Sequence, residues 1–114
     1  MRMEEAMKTV RIKTGNLPWA DAENFPGWSW KSLRDDPDGV SVSLWRLAPG
    51  GSDQLHAHAD AEEHLYVLRG EFECGGVTYK TGDYLFRPVG VPHQTSSSTG
   101  VETLLVYVKR KSGA

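Results

Sequence analysis

Residues 50–70 read GGSDQLHAHADAEEHLYVLRG, and positions 56–64 of this stretch hold three of the chain's four histidines together with two glutamates. Its continuation, HLYVLRGEFEC (64–74), reads as a strand bent at Gly70. Upstream, PGG (49–51) breaks the chain, and a short strand is expected to resume through His56 and His58. Residues two apart on an extended chain share a face, so His56 and His58 project together while Ala57 points away. After the connecting ADAE, one of Glu62 and Glu63 starts the next strand. The two face opposite ways, so only one can join the histidines, and His64 points away from Glu63. The remaining histidine, His93, follows GVP, and a strand beginning there can return it to the same spot. Three imidazoles and a carboxylate converging inside a barrel would make a transition-metal site suited to iron, manganese, nickel, copper or zinc.

The rest of the chain supplies the strands such a barrel needs. VSVSLWRL (40–47) alternates and is rich in β-branched residues, and VETLLVYVK (101–109) is the last strong strand. Shorter strands are expected near Trp28–Leu33, over VTYK (77–80) and over YLFRP (84–88). DDPDGV (35–40) and TGD (81–83) are turns, and Gly75-Gly76 joins Cys74 to VTYK as a two-residue hairpin. NLPWADAENFPGWSW (16–30), with two prolines and three tryptophans, suits an irregular aromatic-rich flap leading into a strand. Residues 1–15 form a charged arm whose first few positions alone have helix-like composition. Short, evenly spaced strands with Gly/Pro turns predict an all-β fold, a single antiparallel barrel or sandwich over 16–109.

Composition narrows the function. At 114 residues the chain is expected to be one domain, 1–114, with a real core, and 39% apolar against 25% charged residues is a globular composition. A net charge of -2 without a basic stripe gives no reason to expect nucleic acid. No window approaches the ~18 apolar residues of a membrane span. MRMEEAMKTVRIK (1–13) has no apolar core, so no secretory signal is expected. Cys74 is alone, which excludes an intrachain disulfide and suits the cytoplasm; beside the Gly75-Gly76 turn it reads as a packing residue, not a nucleophile. Trp19, Trp28, Trp30 and Trp45 are assigned to core or interface, Asp35, Asp36 and Asp38 to turns, and Ser96–Ser98 to solvent.

Two stretches carry a family resemblance. Residues 50–70 run Gly, five residues, His-x-His, four residues, Glu, six residues, Gly, and resemble the first cupin motif. Residues 82–93 run Gly, five residues, Pro-x-Gly, two residues, His, and resemble the second. The departure is Ser97, where that second motif commonly ends in Asn. Weaker likeness over 16–109 is similar to the small single-domain cupins of the ChrR-like group. The resemblance implies a jelly-roll barrel with one divalent metal on His56, His58, Glu63 and His93. Glu63 takes the carboxylate place because the six-residue gap counts back to it from Gly70.

Three neutral imidazoles and one carboxylate leave open positions on a six-coordinate ion. The resemblance implies an Fe(II)-type dioxygenase that chelates and cleaves a small diketone or hydroxyaryl ketone, with Zn, Mn, Ni or Cu as other ions the donors suit. A non-catalytic metal- or ligand-binding or sensing cupin is the alternative, and a metal-dependent isomerase or decarboxylase the second alternative. A homodimer is expected as well, because alternating strands such as HLYVLR put His64, Tyr66 and Leu68 outside on so small a barrel.

Overall fold

A computed structural model of the chain describes residues 9–110. The helix-like first positions of the arm lie outside the described residues. After a 3₁₀ turn at Thr14–Asn16 come nine strands: β1 (Ala20–Asp21), β2 (Trp28–Asp35), β3 (Val40–Leu47), β4 (Gly51–Ser52), β5 (Ala61–Cys74), β6 (Val77–Lys80), β7 (Tyr84–Arg87), β8 (Thr95–Ser97) and β9 (Val101–Lys109). Every pairing is antiparallel. The chain is all-β, an antiparallel sheet curled into a half-barrel of jelly-roll type. Among the described residues no helix is long and apolar enough to cross a membrane.

Strand β5 organises the architecture. Its first half lies between β9 and β7, and its second half pairs with β6 and β8. The transition is made by a register irregularity between Val67 and Arg69 and by Gly70, whose φ of 85° turns the strand from one layer into the other. A Cβ at Gly70 would sit 2.2 Å from the Gly100 carbonyl oxygen, so the corner also needs glycine for space. Ser97, expected in solvent, is instead buried at this corner. Its hydroxyl donates to Glu71 O at 2.6 Å and accepts from Gly100 N at 2.9 Å, tying the second layer to the loop before β9.

Register sets which side chains meet inside. Glu63 on β5 lies opposite Tyr107 on β9 and Arg87 on β7. Two positions on, Leu65 lies opposite Leu105 and Leu85; two further, Val67 lies opposite Thr103, which faces Trp45 on β3. A polar tier thus sits above apolar tiers. The buried core joins Trp28, Leu47, Leu65, Val67, Val101 and Leu105 to Phe72 from beyond the bend, so one cluster is built from both layers. Full burial of such side chains stabilises by about 1.5–3 kcal/mol each.

The opposite parity faces out. On β3 the inward set is Trp45 and Leu47, leaving Val40, Val42 and Leu44 on the other face. The aromatic-rich segment covers part of that face. Lys31 Nζ donates to Thr14 O at 2.8 Å, and the Trp19 ring lies under both Lys31 and Arg46. Farther across, Tyr66, Leu68, Tyr84 and Phe86 are exposed.

Candidate metal centre

The HxH segment is extended but does not form the strand expected for it. β4 ends at Ser52, His56 makes an isolated bridge with His93, and His58 belongs to no strand. Two prolines, Pro88 and Pro92, flank the facing loop and have no N–H to give a ladder. What holds the segment are three backbone hydrogen bonds: His56 N to His93 O at 3.0 Å, His93 N to His56 O at 2.8 Å, and Gly90 N to His58 O at 2.8 Å. Both motifs are thereby sewn together at the histidines themselves.

Side chains then converge. One ring nitrogen from each of His56, His58 and His93 lies within 4.8 Å of the others, a group that can hold a metal ion. His56 Nδ1 lies 2.8 Å from Gln54 O and His93 Nδ1 lies 3.3 Å from Val91 O. Donating Nδ1–H to a carbonyl fixes the tautomer and leaves Nε2 with its lone pair toward the cluster. His58 Nε2 is 3.0 Å from the Tyr107 hydroxyl, which donates to it in the matching tautomer.

Glu63 comes in from the polar tier. Arg87 Nη1 donates to its Oε1 at 2.9 Å, while Arg87 Nη2 reaches Cys74 Sγ at 3.3 Å. The other oxygen, Oε2, is buried without a hydrogen-bond partner among the described residues and lies 3.8 Å from Nε2 of both His58 and His93. A partnerless buried carboxylate oxygen is costly, on the order of 1–3 kcal/mol. A cation among the imidazoles is the kind of partner that removes this cost; the group placed to hold a divalent ion is His56, His58 and His93, with Glu63 beside two of them but not itself a member. Glu62 is turned away: on the outer face its Oε1 accepts from Arg110 at 2.8 Å and lies 3.3 Å from His64 Nε2.

Burial favours the neutral, metal-binding form of His58 and His93. Burial, helped by Arg87, pushes His93 down to about 4, and burial with His56 and Arg87 nearby lowers His58. Burial raises the Glu63 carboxyl, with Arg87 pulling against it. Burial also raises the Tyr107 phenol, which therefore remains a neutral hydrogen-bond donor.

The cluster opens into a cavity of about 60 Å³, with Phe25, Trp28 and Trp45 on its aromatic side and Asp53, Arg87 and Tyr107 among its polar lining. The Phe25 ring packs on His56 with centroids 4.9 Å apart. Asp53 is fully engaged: Oδ1 accepts from Thr95 N at 2.7 Å and Oδ2 from Trp28 Nε1 at 3.2 Å. Sequence reasoning found the histidines and both glutamates but missed Arg87, Tyr107, Asp53 and Phe25. Parity offered one signal: with Leu85 inward on YLFR, Arg87 is inward too.

Residues 7–112 match the family model described as the ChrR cupin-like domain. The chain belongs to this family, and thereby to the cupin superfamily. A polyketide cyclase, RemF from Streptomyces resistomycificus, superposes with a TM-score of 0.80 at 19% identity, covering 90% of this chain and 82% of that one. An acetylacetone dioxygenase from Acinetobacter johnsonii gives 0.73 at 20% identity, covering 89% and 73%. At such identities these likenesses show the fold alone. Germin-like protein 3-8 of Oryza sativa subsp. japonica is 35% identical over 75 residues, 66% of this chain and 30% of that protein. The chain thus spans about a third of the length of the curated relatives it matches.

Proposed function

We propose that the chain is a metal-dependent dioxygenase of the Fe(II) type acting on a small oxygenated substrate such as a diketone or hydroxyaryl ketone. His56, His58, Glu63 and His93 are its ligand set. The observation that carries this reading is Glu63 Oε2, buried, partnerless and equidistant from two imidazole nitrogens. A divalent ion there would supply Lewis-acid polarisation of substrate oxygens and, as iron, the capacity to react with O2. The chain's own groups do the rest. Arg87 holds Glu63 so that one oxygen faces the histidines. With an ion on His58 Nε2, the Tyr107 hydroxyl now bonded there would be free for a substrate oxygen, and Phe25, Trp28 and Trp45 give the cavity an aromatic side. The fold likeness to an acetylacetone dioxygenase accords with this reading.

The same donors would also serve a binding or sensing protein that does not turn over. Oxygen uptake separates the two: Fe(II)-loaded protein is offered a panel of β-diketones and dihydroxyaryl ketones in an oxygen electrode, with metal content measured alongside. Uptake in wild type that is lost with the metal in His58→Ala and His93→Ala supports the dioxygenase. Full occupancy without uptake for any substrate favours the binding reading, and full occupancy in either alanine variant refutes the ligand set. The proposal includes a homodimer that covers Tyr66, Leu68, Tyr84 and Phe86, which together make an exposed apolar band on the outer sheet face. Light scattering at micromolar concentration giving the 12.7 kDa of one chain would end that part.

A further inference from the structure

Among the described residues, three ionisable side chains other than histidine and tyrosine line the cavity: Asp53, Glu63 and Arg87. Asp53 accepts from Trp28 and Thr95 with its two oxygens, and Arg87 donates to Glu63 from Nη1 and to Cys74 from Nη2. Their charges act across a cavity lined partly by aromatic rings, where screening is weaker than in bulk water. Two carboxylates and one guanidinium leave the cavity at -1, and a divalent ion brings it to +1. One negative charge on a ligand neutralises it.

We infer that Arg87 sets the charge preference of this pocket, cancelling Glu63 so that the metal-loaded site takes a monoanionic oxygen ligand, an enolate or a carboxylate, in preference to a neutral one. The inference rests on the metal reading above and deepens it by naming the substrate's charge. Without Arg87 the loaded cavity would be neutral, and an incoming anion would gain only the local pull of the ion. With Asp53 neutralised the loaded cavity would stand at +2, and the pull on an anion would grow. The two changes therefore move selectivity in opposite directions, although neither residue needs to touch the ligand. A role confined to holding Glu63 in place would not produce this opposition.

Cobalt(II) tests it, because its visible absorption reports a ligand entering the coordination sphere without any turnover. Wild type, Arg87→Gln, Arg87→Lys and Asp53→Asn are loaded with Co(II), the stoichiometry is checked, and each is titrated with acetate and with acetamide, its neutral isostere. The readout is the ratio of the two dissociation constants, which cancels a general loss of site quality. Arg87→Gln is expected to cut the acetate preference by on the order of tenfold, Asp53→Asn to raise it severalfold, and Arg87→Lys to leave it near wild type. A ratio unchanged in Arg87→Gln, or one that falls equally in Arg87→Lys, overturns the inference, because shape rather than charge would then be at work. If Arg87→Gln does not load, Asp53→Asn decides by the sign of its shift. Wild type that takes up no cobalt refutes the metal reading itself, whereas loaded proteins with equal ratios refute only the charge assignment.

Discussion

Replacing Gly70 by alanine should damage this fold more than any comparable glycine change at a turn. The backbone there has φ 85°, and the left-handed region costs a residue with a Cβ about 1–2 kcal/mol. Space adds to this. The new methyl would lie 2.2 Å from Gly100 O, 3.1 Å from Gly100 C and 3.0 Å from Val101 Cα. All three are main-chain atoms at the entry to β9, so no side chain can swing aside, and parting packed backbone adds about 1–3 kcal/mol. The expected loss is about 2–5 kcal/mol, a large share of the ~5–15 kcal/mol that holds a typical domain. Gly82→Ala is the control. Its φ is 93° and nothing lies within 4 Å of the added methyl, so it should show the backbone cost alone, about 1–2 kcal/mol. Urea unfolding followed by tryptophan fluorescence gives both values, compared at matched slopes. If the two variants agree within about 0.5 kcal/mol, the corner between the layers is looser than these contacts imply and the reasoning fails.

Ser97→Ala removes one donor and one acceptor from the same corner and should cost about 1–3 kcal/mol in the same assay; a neutral result would mean that water replaces both bonds. Glu63→Gln should lower metal content after dialysis, while Glu62→Gln, on the outer face, leaves it at the wild-type level. Elemental analysis showing the reverse order would transfer the carboxylate role to Glu62. Chelation should lower the midpoint of thermal unfolding yet preserve the far-ultraviolet β signature, since the core of Trp28, Leu47, Val67 and Phe72 does not depend on an ion; collapse to a coil spectrum would contradict this.

Strand alternation carried most of the fold. β3, β6 and β9 occupy the residues whose patterns announce them, because each has a paired neighbour along its whole length. The HxH segment was misread as strand for a reason that lies outside it: the loop facing it carries Pro88 and Pro92 and can offer only the single bridge at His93. The ligand candidates were legible because motif spacing ties them to glycines and prolines at turns. Their neighbours were harder. VETLLVYVK has apolar residues on both parities, so nothing marked Tyr107 as inward. Asp53 lies in a segment without periodicity, and its partners Trp28 and Thr95 come from 25 and 42 positions away. Ser97 looked like one of three solvated serines until β8 placed it, alone of the three, toward the interior.

The continuity of β5 has a consequence for how the molecule comes apart. The layer built on β9 and β7 and the layer built on β6 and β8 share this one uninterrupted strand, and Phe72 and Val67, on either side of its bend, lie in one core cluster. Neither layer can melt without exposing the other's buried face, so unfolding should be a single all-or-none event with no half-structured species. Assembly is bound by the same link. β3 finds β9 across most of the chain, with Val40 opposite Val108, so closing that pair must await a slow long-range encounter. Until then the β3-facing edge of β9 stands open, and the protein reaches its native state through one of its least local strand pairings.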